Sequence, residues 1–241
     1  MEKNRRSLSP GALTAPLPPA MVTVGDSENY NVLTVAWTGI LATVPPKTYI
    51  SVRPPRHSYG ILLEKREFVI NLPSADMART VDYVGIYTGA KVDKFKKCGL
   101  TPAKSEKVSA PTIEECPIAL ECRVTEILPM GSHDVFIADI VSVSCKEEIM
   151  DAEGKMHFER ANLLAYAHGE YYSLGEKLGR FGFSTDKVKT PDKIKTSEPQ
   201  KQTDDGKKPF YHAVVGKSSA AKKKTDKNKG APHGKRRGNG R

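Results

Sequence analysis

The sequence predicts a mainly β protein in which six or seven short strands close into an antiparallel barrel, with a few short helices between them. Three observations carry this. Ile118, Leu120, Cys122 and Val124 alternate with Ala119, Glu121, Arg123 and Thr125, the period of a strand with one wet face. Phe68-Val69-Ile70-Asn71-Leu72 is a nearly continuous apolar run, as in a strand buried on both faces. Runs of strand formers recur between prolines while long helical periods are missing, and closure is the arrangement that leaves so many short strands without exposed edges.

The elements follow in order. Residues 1–19 read as an irregular lead-in, and the β signal begins at Met21. Asn31 to Thr38 is expected as one strand. The next segment ends at Pro45-Pro46, and Thr48 to Arg53 is a further strand stopped by Pro54-Pro55. His57 to Glu64 can make two helical turns with Ser58 as the cap. Ser74 is placed to cap a helix whose Met77, Val81 and Val84 share a face and which Gly85 would end. Tyr87-Thr88-Gly89 and Asp93-Lys94-Phe95 form a polar loop entering a short helix. The strand opened by Pro117 is followed by one from Val135 to Val143. Cys145–Met150 and Lys155–Glu159 then flank Asp151-Ala152-Glu153-Gly154 as a hairpin. The body, residues 20–184, ends near Ser184.

Residues 185–241 are a separate matter. They hold 17 Lys+Arg and 6 Asp+Glu, so the formal net charge of +10 belongs to this tail and the body is close to neutral. Lys, Thr, Pro, Asp and Gly dominate it, which predicts a disordered basic tail broken only by the apolar island Phe210–Val215. The clusters Lys222-Lys223-Lys224 and Lys235-Arg236-Arg237 suit a polyanion such as nucleic acid, an anionic surface or an acidic partner, or serve as a solvated extension. No apolar run reaches the ~18 residues of a membrane span. Pro10, Pro16, Pro18 and Pro19 break what would be a signal-peptide core. The cysteines at 98, 116, 122 and 145 show no metal-ligand spacing, and read as reduced thiols of a cytoplasmic protein.

No phosphate-binding, zinc-protease or serine-hydrolase motif is present, and no nucleophile–base pair can be proposed from spacing. What remains suits a flat, phosphorylated ligand. Arg53, Arg56, His57 and Ser58 gather guanidinium forks, a hydroxyl and free N–H groups near a helix start, as a phosphate monoester needs. The alternative makes both arginines solvated edge charges. Ala36 and Gly39 let backbone approach a ring beside Trp37 and Thr38, although Trp37 taken alone is a core aromatic. Asn71 needs a partner inside its strand, backbone or ligand. Lys94 is either a site for an anion or a solvated helix charge.

These parts, in this order, resemble the flavin reductase-like family, the FMN-binding split barrels, and in particular its flavoredoxin-type branch. The matching segments are Asn31 to Gly39 with Pro45-Pro46, Ser51 to Ser58, Phe68 to Pro73, and Gly169 to Gly175 leading to Gly182-Phe183-Ser184. The resemblance implies a six-stranded Greek-key split barrel, a homodimer, and non-covalently held FMN reduced by NADH or NADPH for delivery to another flavin or a redox partner. It places Ala36, Trp37 and Thr38 along the ring or ribityl chain and Arg53, His57 and Ser58 at the phosphate, with Asn71, Thr88 and Lys94 as further contacts. The flavin carries the chemistry, so no catalytic side chain is expected. A second reading makes the barrel a non-catalytic scaffold and the tail the binding element.

Overall fold

A computed structural model describes residues 4–185. Its strands are β1 (Ala20–Gly25), β2 (Tyr30–Val35), β3 (Thr38–Thr43), β4 (Pro46–Val52), β5 (Glu67–Leu72), β6 (Pro102–Ala103), β7 (Thr112–Ile113), β8 (Ile118–Pro129), β9 (Asp134–Cys145), β10 (Leu164–Ala167) and β11 (Glu170–Ser173). The helices are α1 (His57–Lys65), α2 (Ala78–Ile86) and α3 (Lys94–Cys98). One antiparallel sheet runs β2-β1-β5-β8-β9-β4-β3; its seven strands fall within the six or seven that the sequence predicts, and the β3 hairpin adds one to the six that the resemblance implies. β6 pairs with β7, and β10 with β11.

The sheet wraps around a single core. Alternate residues of β1 (Ala20, Val22, Val24), β2 (Leu33, Val35), β4 (Ile50, Val52), β5 (Phe68, Ile70), β8 (Cys122, Val124) and β9 (Phe136, Ala138) pack together with Leu62 of α1. β2 and β4 face the same core yet are not hydrogen-bonded neighbours. The barrel is therefore split along a seam between them. The backbone crosses this seam at Ala36-Trp37, where the Ser51 N–H donates to the Trp37 carbonyl at 2.9 Å. The expected strand Asn31–Thr38 is thus two strands, broken after Val35 to make the crossing.

On the outer face, Met21 and Val32 pack against Val81 and Val84 of α2 and Phe95 of α3. Val81 and Val84 share the buried helix face, as their spacing requires, and Met77 lies half-buried beside them. Gly85 does not end α2. It lies inside the helix, where a Cβ would sit 3.2 Å from the Thr34 side chain, so the glycine permits close helix–sheet packing. Ser58 is not the α1 cap either: Arg56 holds that position with extended backbone, and Ser58 is buried in the first turn.

Two further expectations fail for tertiary reasons. The alternation puts Glu121 on a wet strand face, but the residue is only 2% exposed. The segment before β7 covers it, and its carboxylate accepts from the Glu106 and Lys107 N–H groups at 2.9 and 2.6 Å. The turn at Asp151–Gly154 forms, with Gly154 at φ 79°, but its flanks are short 3-10 turns at Glu147–Ile149 and Phe158–Arg160 joined by one bridge, Met150 to Met156. From residue 4 onward the lead-in is irregular except where Leu17 pairs with Tyr166. Apart from Thr185, the predicted tail, with its island Phe210–Val215 and its two basic clusters, lies outside the described residues. Among those residues, no helix is long and apolar enough to cross a membrane.

Candidate functional site

The seam opens into a cleft of about 300 Å³. Its walls come from the end of β2 and the crossing (Leu33 to Trp37), the end of β4 with Arg53, and α2 through Asp82, Gly85 and Ile86. His133 from the β8–β9 turn, and Tyr166 and Tyr171 from β10–β11, complete it. A chain that must leave one edge of the sheet and cross to the other presents backbone and small residues to the gap, which is why Ala36 sits there. Trp37 is 37% exposed, so it is a cleft wall and not a core aromatic.

A smaller pocket of about 120 Å³ adjoins this cleft, sharing Leu33 and Arg56 with it. Its lining includes Asn31, His57, Ser58, Tyr87, Thr88, Gly89 and Lys94. The N-terminus of the nine-residue α1 opens here with no side-chain cap and no acidic residue in its first turn, leaving N–H groups for an incoming anion. The Asn31 amide donates to the Ser58 hydroxyl at 2.7 Å and so fixes both. Lys94 is 4% exposed, and its ammonium donates to the Val84 carbonyl at 2.8 Å. Burial, and then the Arg56 charge, push its pKa down from 10.5 to about 8. An ammonium held in this way gains from any anion that enters the pocket.

Gly89 closes the pocket against Asn31. A Cβ at Gly89 would lie 2.3 Å from the Asn31 side-chain oxygen, which cannot retreat without giving up Ser58. Gly89→Ala is expected to weaken anion binding in this pocket by roughly tenfold, the cost of about one displaced hydrogen bond. Isothermal titration of the variant with FMN checks this, and an unchanged affinity would show that the Asn31–Ser58 pair does not shape the binding site.

The expected site residues therefore divide. Ala36, Trp37 and Arg53 line the cleft, while His57, Ser58, Thr88 and Lys94 line the small pocket. Thr38 and Asn71 line neither. The Thr38 hydroxyl donates to the Tyr49 carbonyl at 2.6 Å, holding β3 to β4. The Asn71 amide is spent on the Met21 carbonyl and on Ile113, inside the sheet. Arg53 belongs to the cleft and not to the pocket beside Ser58, where Arg56 stands instead.

Asp82, His133, Tyr166 and Tyr171 escaped the sequence reading as site residues, since each comes from a different element. The Tyr171 hydroxyl lies 3.3 Å from Asp82, and burial, then the nearby Asp82 charge, push the phenol up to about 12. Burial, then the charges of Arg53 and Arg56, push the His133 imidazole below its ordinary value. The four cysteines are free thiols, and among the described residues no cluster of His, Cys, Asp and Glu could hold a metal ion.

Comparison with known proteins places this geometry. Residues 13–175 match the flavin reductase like domain, a span that includes every residue lining the cleft and the pocket. Flavoredoxin of Desulfovibrio vulgaris (Miyazaki F) superposes with a TM-score of 0.71 at 31% identity, over 75% of this chain and 99% of that one. The FMN-binding protein of Thermus thermophilus, solved with 1-cyclohex-2-enone bound, gives a TM-score of 0.62 at 27% identity, over 75% of this chain and 99% of that one. The NADPH-flavin oxidoreductase of Streptomyces viridifaciens is 24% identical over 153 residues, 60% of this chain and 77% of that protein. With a split barrel, a cleft along its seam and a match across both, the chain belongs to the flavin reductase-like family, on its flavoredoxin branch.

Proposed function

We propose that the protein binds FMN without a covalent bond, and passes electrons from NADH or NADPH through it to another flavin or a redox partner. The observation that carries this reading is the buried Lys94 ammonium sharing a small pocket with the uncapped N-terminus of α1, where that pocket joins the seam cleft at Leu33 and Arg56. The donor set fits a phosphate monoester: an ammonium, a guanidinium, the Ser58 and Thr88 hydroxyls and free helix N–H groups. The cleft suits a flat ring system, with Val35, Ala36 and Trp37 together along one wall.

FMN, when bound, supplies the hydride and electron chemistry. The protein's residues bind and orient. Lys94, Arg56, His57 and Ser58 would hold the phosphate end, and Leu33 to Trp37 would line the ring. The rest of the cleft, toward Arg53, His133 and Tyr171, stays open to a second molecule. The names of the flavoredoxin, FMN-binding and NADPH-flavin oxidoreductase relatives support the same reading. Exposed Ile40, Leu41 and Val44 along β3 and the turn after it support a homodimer, which light scattering on the purified chain checks.

The decisive experiment is an absorption spectrum of the purified full-length protein, taken anaerobically before and after NADH and NADPH. Flavin bands at near-stoichiometric occupancy that bleach with a nucleotide are expected. A colourless protein that fails to take up added FMN would overturn the proposal, and bound flavin that resists both nucleotides would leave a carrier fed by a protein donor.

A further inference from the structure

The β10–β11 hairpin brings Tyr166 and Tyr171 to the cleft, their rings 5.4 Å apart, and turns back through His168 and Gly169 at φ 46° and 97°. Its first strand is tied to the body by backbone: Tyr166 exchanges two hydrogen bonds with Leu17 at 2.8 Å, and the Leu164 N–H donates to the Pro73 carbonyl at 3.1 Å. Its second strand gains ties from side chains. Tyr171 reaches Asp82 at 3.3 Å, and beyond the strand the Lys177 ammonium lies 3.2 Å from Glu159. Glu159 stands before β10 and Lys177 after β11, so this ion pair closes the base of the hairpin.

The Glu159 oxygen that receives Lys177 also lies 3.1 Å from His157 Nδ1, while His157 Nε2 lies 2.7 Å from Asp151. The imidazole thus stands between two carboxylates. Its backbone is fixed, since the His157 N–H donates to the carbonyl of the fully buried Ile149 at 2.7 Å. Asp151 is fixed too, by the Lys155 N–H at 2.8 Å. A neutral imidazole has one N–H and one lone pair, so only the imidazolium can donate to both carboxylates. The charged groups acting on it are Asp151, Glu159 and Arg160, with Lys177 reaching it through Glu159. Arg160 opposes the charge, its guanidinium donating to the Met150 carbonyl at 3.2 Å. The carboxylates win: hydrogen bonding to Asp151, then to Glu159, raises the imidazole pKa above its ordinary 6.5. Hydrogen bonding to His157 in turn holds Asp151 below the usual carboxylate range and Glu159 down at about 2, so both stay ionised while the histidine titrates.

We propose that His157 is a proton-operated clasp: charged, it holds Glu159 against Lys177, closes the base of the β10–β11 hairpin and so sets the tyrosine wall of the cleft from outside it. On loss of the proton, the remaining N–H stays with Asp151, the shorter of the two contacts. The Nδ1 lone pair then faces the Glu159 carboxylate and repels it, and Lys177 loses the oxygen that held it. Because the folded-state pKa is raised, the clasp is complete below about 6.5 and is lost as pH rises through the raised value. The device does not depend on which ligand the cleft takes.

The test uses the purified full-length chain and three readouts across about pH 5.5 to 9, a range that brackets the ordinary histidine pKa. NMR titration gives the His157 midpoint. Hydrogen exchange, expressed as protection factors, follows the amides of residues 171–177. Fluorescence follows Trp37, the chain's single tryptophan, which lines the same cleft as the two tyrosines. His157 is expected to titrate above 6.5, with the Trp37 emission changing at the same midpoint. Protection of residues 171–177 should fall there by roughly twofold to fivefold, the scale of one exposed ion pair. His157→Gln should abolish both steps. Lys177→Met should show the alkaline level of exchange already at about pH 6, while His157 keeps a raised midpoint through Asp151. The His133 imidazole, itself in the cleft, is pushed below 6.5, so its own effect on Trp37 falls on the other side of that value. A His157 midpoint at or below 6.5, or protection and fluorescence that stay level through a raised midpoint, overturns the proposal. So does a Trp37 step above 6.5 that survives His157→Gln.

Discussion

Replacing Lys94 by Gln should weaken FMN binding by about tenfold to a hundredfold and abolish most of its pH dependence above neutrality. The substitution keeps a donor for the Val84 carbonyl, so the effect isolates the charge and not the packing. In the empty pocket, burial and the Arg56 charge bring the Lys94 pKa down to about 8. A phosphate monoester is already doubly ionised above pH 7, its second pKa being about 6, so any slope beyond that point belongs to the protein. Contact with the phosphate raises the lysine pKa. The affinity is then complete below about pH 8 and falls as the free protein loses this proton while the complex retains it. Fluorescence quenching of FMN between about pH 7 and 9.5 reads the slope. A flat wild-type profile with an unaltered Lys94→Gln affinity would remove Lys94 from the phosphate site.

The same group acts on the flavin-free protein with the opposite sign. Its folded pKa of about 8 lies below the ordinary 10.5, so between these values the unfolded chain binds more protons. Below about 8 the charge is buried and its cost is present. Raising the pH through that window relieves the cost and adds stability, just as FMN affinity declines. Ligand binding and folding thus pull Lys94 in opposite directions, as is expected of a charge placed for a partner and not for the core.

What could be read along the chain depended on whether the signal was local. β8 and β5 announced themselves, one by alternation and one by a continuous apolar run, because a strand's own side chains decide which faces are buried. The β2–β3 break was invisible, since Val35, Trp37 and Thr38 are strand formers around a single alanine and the interruption exists only because the chain must cross the seam. Glu121 reads as solvated because the segment that covers it, from Glu106 onward, belongs to another part of the chain and leaves no mark on the alternation of β8. The site followed the same rule. Arg56, His57 and Ser58 are consecutive and could be seen as a group, whereas Asp82, His133 and Tyr171 meet in the cleft from three distant elements. Lys94 was visible as a residue but not as a buried one, because a solvated lysine is much the commoner outcome.

Asn71 marks the boundary between these two kinds of information, and Asn71→Ala should cost about 2–5 kcal/mol of folding stability while sparing flavin. It is fully buried in β5. Its amide donates to the Met21 carbonyl at 3.0 Å, with Thr23 Oγ1 at 3.3 Å, and its oxygen accepts from the Ile113 N–H at 2.9 Å. One side chain therefore joins β1 to β5 and latches β7 onto the outside of the sheet. Truncation strands the Ile113 N–H and one acceptor position on Met21, each costing roughly 1–3 kcal/mol when no water can reach it. Against a total stability of about 5–15 kcal/mol, that is a large share. Urea unfolding should show the midpoint falling steeply, and FMN titration of the folded variant should give an affinity within about twofold of the parent. The opposite pattern, intact stability with lost flavin, would mean that the amide faces the ligand and that the hydrogen bonds joining these three strands are dispensable. The sequence shows only that a polar side chain sits in an apolar strand, and it is the distances to Met21 and Ile113 that decide for a structural latch.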